Sequence, residues 1–139
     1  MEWKEALPLL QENHTGVAIS VTPKGRAQST VVSTAVLDGK LGFASRPHTV
    51  KVRNIQRTGR ATVTVIKLDT RRYVTVEGLA SIEPWQDTPA HIKRLKDLYV
   101  AMGRAPKSDD EFTRQMRDEQ RSLVLVTPER LYGSLRSGA

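Results

Sequence analysis

Three observations predict a mainly β chain, a small antiparallel β-barrel with peripheral helices. Short runs of β-branched residues alternate with polar ones, an Asp38-Gly39 pair separates two of these runs, and Gly78 interrupts a long strand pattern. No series of strand, helix and strand recurs, so a parallel doubly wound sheet is excluded. At 139 residues the chain is expected to be one domain over residues 1–139.

Taken in order, residues 2–12 place Trp3, Leu7 and Leu10 at helical spacing, with Pro8 marking a break or a late start. Residues 14–22 alternate, and Val17, Ile19 and Val21 are expected to face inward. Pro23, Lys24 and Gly25 form a turn, and 26–37 is a long β-branched strand. Asp38-Gly39 predicts a tight hairpin into a third strand at 40–45, completing a meander. Over 47–57 the repeat becomes helical, and Pro47 suits a first turn. Strands resume at 60–68 and 72–83, where Gly78 predicts the bend that barrel corners need. Helices follow at 89–102 and 109–120, the second with Asp109, Asp110 and Glu111 at its positive end. Strands at 122–127 and 130–135 close the barrel.

Composition removes several functional classes. Apolar residues at 38% and charged residues at 27% describe a soluble globular chain. No run of 18 apolar residues offers a membrane span, and the acidic first twenty residues argue against a secretory signal, so a cytoplasmic location is expected. There is no cysteine, and His14, His48 and His91 are too scattered to predict a metal site. No nucleophile elbow, zinc-protease pair or phosphate-binding glycine loop is present, and acidic residues are nearly missing between 13 and 76. An enzyme of this sequence would therefore need a cofactor for its hard chemistry.

The net charge of +7 is concentrated in one stretch. Residues 46–72 hold Arg46, Lys51, Arg53, Arg57, Arg60, Lys67, Arg71 and Arg72 against Asp69 alone, while the segments on either side balance to zero. Such a bias reads as an anion-binding surface or as a solvated basic face. Nucleic acid is disfavoured as the anion, because only Tyr73 lies near the stretch to stack a base. A helix opening at Pro47 would leave backbone N–H groups free for an anion, with Lys51 one turn inside and Ser45 and Thr49 adding hydroxyls. Alternatively, Thr49 is only a helix cap and Lys51 is merely exposed.

GRAQSTVV at 25–32, LGFASRPHTVKVRNIQRTGRATVTV at 41–65, YVTVEGLASI at 73–82 and ERLYG at 129–133 together resemble the flavin/deazaflavin split-barrel oxidoreductases. That family includes pyridoxamine-phosphate oxidase, and the resemblance is closer to its actinobacterial branch that uses coenzyme F-420. It implies a split β-barrel that forms a homodimer with two cofactor sites at the interface. By resemblance, Lys51 meets the cofactor phosphate, and Ser45, Arg46, Thr49 and Val50 surround that phosphate and the ribityl chain. Gln28 and Thr30 match positions beside the ring system. Arg71, Arg72 and Tyr73 match a segment that reaches the cofactor from the partner subunit. Arg53 and Asn54 match a common pair, with Asn54 expected to be structural.

The resemblance leaves the cofactor open between F-420 and FMN. Eight cations exceed the need of one flavin phosphate and favour F-420, whose tail adds carboxylates. The C-terminal LYGSLRSGA lacks the basic substrate motif of pyridoxamine-phosphate oxidase. The expected activity is hydride transfer from reduced F-420 to a small conjugated acceptor, or F-420 carriage without turnover. Arg72 is the candidate to steady a proton, unless it only binds the anionic tail.

Overall fold

The computed structural model describes residues 1–136. The elements in chain order are α1 (Trp3–Glu12), β1 (Thr15–Val21), β2 (Ala27–Leu37), β3 (Lys40–Ser45), α2 (Val50–Thr58), β4 (Arg60–Lys67), β5 (Arg72–Glu83), α3 (Pro89–Ala101), α4 (Asp109–Glu119), β6 (Ser122–Val126) and β7 (Arg130–Ser134). Every predicted strand and helix is present. The strands are antiparallel, ordered β4-β1-β2-β3-β6-β5-β7, and a further β4–β5 pairing closes β1 to β6 into a ring with β7 outside it. Closure pairs the edges that an open sheet would leave exposed.

Two long strands change partners part-way along. β2 pairs with β1 through Ser33 and with β3 from Thr34 onward. β5 pairs with β4 as far as Leu79 and with β6 from Ala80. Gly78 sits at that second exchange, where a Cβ would lie 1.7 Å from the Thr127 carbonyl oxygen. Only glycine allows the two backbones to approach so closely. At the β2–β3 hairpin, Asp38 and Gly39 both have positive φ (56° and 70°), which matches the twist of the flanking strands.

Apolar burial divides between the two sides of the barrel wall. Inside lie Leu41, Phe43, Val63, Val65, Val74 and Val76, in one cluster with Leu10 of α1. Outside, Leu95, Leu98, Phe112 and Met116 of α3 and α4 cover Ala35, Leu123 and Leu125. Because β6 is buried on both faces, all its residues are inaccessible.

Two local expectations are corrected. Helix α1 runs through Pro8 without a break, capped by reciprocal Glu2 and Glu5 contacts and held by the burial of Ala6, Leu9 and Leu10. In β1 the buried face carries Gly16, Ala18 and Ser20, whereas Val17 and Ile19 are half-buried and Val21 is exposed. The inner side is too tight for β-branched residues, since a Cβ at Gly16 would already sit 2.8 Å from the Thr64 carbonyl oxygen. Small residues therefore face in and valines face out.

Candidate functional site

The site begins where β2 and β3 separate. Their pairing ends at Thr34–Phe43, after which β2 follows β1 while Ala44 and Ser45 follow β6. The wedge left between them is a cleft of about 340 Å³. Val31, Val32 and Ser33 form one wall, and Ala44 and Ser45 the other. Arg46, Thr49 and Lys51 enter from the start of α2, Tyr99, Met102 and Arg104 from the end of α3, and Arg121 from just before β6.

The chain between β3 and α2 is shaped by its own hydrogen bonds. Helix α2 begins at Val50, not at Pro47, because His48 takes a left-handed turn (φ 62°) and Thr49 is the N-cap. The Thr49 hydroxyl accepts from the Val52 N–H at 3.3 Å, and its carbonyl accepts from the Arg53 N–H at 3.1 Å. The Val50 and Lys51 N–H groups are left over at the positive end of the helix. Thr49 is thus a cap and a cleft residue at once, with its hydroxyl 3.1 Å from that of buried Ser45.

Charge is distributed unequally over the cleft. Arg46 and Arg121 share Glu119, at 3.5 and 2.6 Å. Arg104 donates to the Ser33 hydroxyl at 3.2 Å and has no carboxylate partner among the described residues. Lys51 likewise lacks an ion-pair partner among them, and burial, with the nearby charge of Arg121, holds its ammonium below the usual lysine value. A half-buried cation without a counter-ion, beside two hydroxyls and a helix start, suits a phosphorylated ligand. A groove of about 440 Å³ between α3 and α4 is larger, but Lys96 pairs with Asp109 and Arg117 with Asp87 along its rim. That leaves less charge there for a ligand.

Of the residues predicted from sequence, the structure brings Ser45, Arg46, Thr49 and Lys51 together in the cleft. The Val50 side chain is exposed and outside the lining, so only its backbone is near. Gln28 and Thr30 lie further along β2, joined by a 2.9 Å hydrogen bond, on the same strand face as Val32. A chain of hydrogen bonds links Gln28 through Ser20 and buried Asn54 to Arg57. Arg71, Arg72 and Tyr73 lie at the β4–β5 hairpin and do not line the cleft.

The basic stretch does not form one surface. Arg57 donates to Asn54 and to the Val21 carbonyl, Arg60 pairs with Glu129, and only Arg46 and Lys51 face the cleft. Sequence reasoning missed Tyr99, Arg104 and Arg121. Residues 73–139 sum to zero charge, and a local count cannot show that Arg104 and Arg121 fold back onto β2 and β3. Among the described residues no cluster of three or more His, Asp or Glu could hold a metal. No helix among them is long and apolar enough to cross a membrane.

The family model of pyridoxamine 5'-phosphate oxidase matches residues 3–134. The chain belongs to that family. No curated protein matches it in sequence. Among solved structures, a conserved hypothetical protein of Mycobacterium tuberculosis superimposes with a TM-score of 0.75 at 22% identity, covering 96% of this chain and 84% of that one. An F-420 reductase gives 0.68 at 24% identity, covering 90% and 94%. A pyridoxamine 5'-phosphate oxidase-related, FMN-binding protein of Nostoc punctiforme gives 0.68 at 17%, covering 94% and 83%. These similarities establish the split-barrel fold of the family, in which the cleft just described lies at the split between β2 and β3.

Proposed function

We propose that this member of the family is an oxidoreductase that binds coenzyme F-420 in the cleft and acts on a small conjugated acceptor. The observation that carries this reading is Lys51, half-buried in the cleft beside Ser45 and Thr49 with no carboxylate neutralising it. Reduced F-420, when bound, supplies a hydride.

The protein's share of the work is binding and orientation. Lys51, the two hydroxyls and the free N–H groups of α2 would hold the phosphate. Val31, Val32 and Met102 provide apolar contact surface, and Gln28 and Thr30 lie beyond Val32 on β2, toward where a ring system would extend. Arg46, Arg104 and Arg121 add more positive charge than one phosphate requires, which favours F-420 and its tail carboxylates over FMN. FMN is the second reading, favoured by the similarity to the FMN-binding protein of Nostoc punctiforme.

We further propose a homodimer in which Arg71, Arg72 and Tyr73 serve the neighbouring site. Support comes from the outward face of β1 and β2, where Val17, Ile19, Val21 and Val31 stand in neighbouring positions and Val31 is 72% exposed. Arg72 has its Nε buried without a hydrogen-bond partner among the described residues. It is the candidate for steadying the proton that the acceptor takes up.

Fluorescence titration with F-420 and FMN side by side tests the reading. Tight F-420 binding, weakened strongly in Lys51→Ala, is the expected result. Binding of FMN alone transfers the conclusion to a flavin enzyme, and binding of neither dye refutes it. If F-420 binds but reduces no enone or quinone, the protein is a carrier.

A further inference from the structure

Glu119 is placed against the ordinary rules. It is the last residue of α4, where the helix dipole disfavours a carboxylate, and its side chain is only 12% exposed. Burial pushes its carboxyl up, but hydrogen bonds from Arg121 and Gln115 and the charges of Arg121 and Arg46 outweigh this and hold it low. A local rule broken beside a cleft calls for a reason connected with the cleft.

Arg121 supplies that reason, because its position is held from several sides. Left-handed Gln120 (φ 51°) turns the chain out of α4, and the His91 ring donates through Nε2 to the Arg121 carbonyl at 2.9 Å. The guanidinium donates from Nε to Glu119 at 2.6 Å and from Nη1 to the Ala44 carbonyl at 3.4 Å. Held in this way it lines the same cleft as Lys51, and its charge acts on that ammonium. Two like charges facing one cavity repel until an anion lies between them.

We propose that Lys51 and Arg121 are two arms of one anion clamp, and that Glu119 is the counter-ion occupying Arg121 until a ligand anion replaces it. The ligand class is a phosphate, pyrophosphate or carboxylate-bearing molecule able to span both arms. Its identity as F-420 rests on the function proposed above; the clamp itself does not.

Titration of the full chain with inorganic pyrophosphate by calorimetry, and with F-420 by fluorescence, tests the clamp. Arg121→Met is expected to weaken both by about tenfold or more, the usual scale for a lost charge-assisted contact. Isosteric Glu119→Gln is expected to strengthen both several-fold, an effect that a merely structural role would not produce. The decisive measurement is the combined variant, in which Glu119→Gln brings no gain once Arg121 is methionine.

A gain that persists without Arg121 acts through Arg46, which shares Glu119, or through bulk charge, and in either case overturns the proposal. So does Arg121→Met binding as wild type, or wild type failing to bind pyrophosphate. If Arg121→Met does not fold, Arg121→Lys, which keeps the charge but loses the fork, is expected to fall between the two, and wild-type affinity there is equally fatal. Dye binding that needs Lys51 but not Arg121 overturns the clamp and leaves the cofactor reading standing. Pyrophosphate following the pattern while F-420 does not bind does the reverse.

Discussion

Replacing Lys51 by alanine separates binding from folding. A charge-assisted hydrogen bond contributes about 1.5–3 kcal/mol when one partner is ionised, which is about 10- to 150-fold in affinity. Ser45, Thr49 and the free N–H groups of α2 remain in the variant, so a loss of about 10- to 100-fold for a phosphorylated ligand is expected. Folding should respond differently. Lys51 makes no hydrogen bond or ion pair among the described residues, and burial disfavours its charged form, so its removal costs the apo protein little. The variant should melt at the wild-type temperature or slightly above it. Fluorescence titration with F-420 and a thermal melt without ligand measure the two quantities. A change in Kd below about threefold would refute the assignment of Lys51 to the phosphate. A drop in melting temperature of several degrees would show that Lys51 is structural instead.

Further predictions follow from other parts of the molecule. Because the Lys51 ammonium is held below its usual value, anion binding should weaken as pH rises through that lowered value, and Lys51→Ala should lose this dependence. Gly78→Ala places a Cβ 1.7 Å from the Thr127 carbonyl oxygen, so a loss of about 3 kcal/mol or more is expected in urea unfolding; a wild-type midpoint would refute the exchange of strands described there. Arg94→Met removes the ion pairs with Asp38 and Glu83 and should cost about 1 kcal/mol, given their partial exposure. The hydrogen bond from Arg94 holds the Glu83 carboxyl low, so that stabilisation is present above the unfolded-state value and is lost as pH falls through the folded one. The difference in melting temperature between wild type and Arg94→Met should therefore shrink in acid. Val31→Glu, on the outward face, is expected to turn a dimer into a monomer in sedimentation and to weaken F-420 binding; a wild type that sediments as a monomer contradicts the homodimer.

The order of elements was readable from sequence because each depends on local chemistry. Asp38-Gly39 needs positive φ wherever it lies, and Gly78 announces a bend in its strand before the neighbour that requires it is known. What failed depended on partners distant in the chain. The inward face of β1 is decided by Asn54 and Thr64, so alternation alone chose the wrong side. Part of the cleft followed the same logic: Ser45, Arg46, Thr49 and Lys51 are neighbours in sequence and could be read together. Arg104 and Arg121 could not, since their approach to Ser33 and Ala44 is set by the packing of α3 and α4. Their segment is neutral by count although several of its acids, Glu129 and Asp97 for example, pair away from the cleft, and among the described residues only Glu119 answers Arg121 there.

The strand exchange of β2 has one more consequence. The ring is closed by its strand pairings, and the wedge opens only where β2 and β3 have each found another neighbour on their far side. Residues that choose a guest are thus largely different from residues that hold the chain together. Selection can rework the mouth of the wedge, through the end of α3 and the approach to β6, without renegotiating the barrel. Such a division lets the contents of the wedge be altered while the architecture around it stays still.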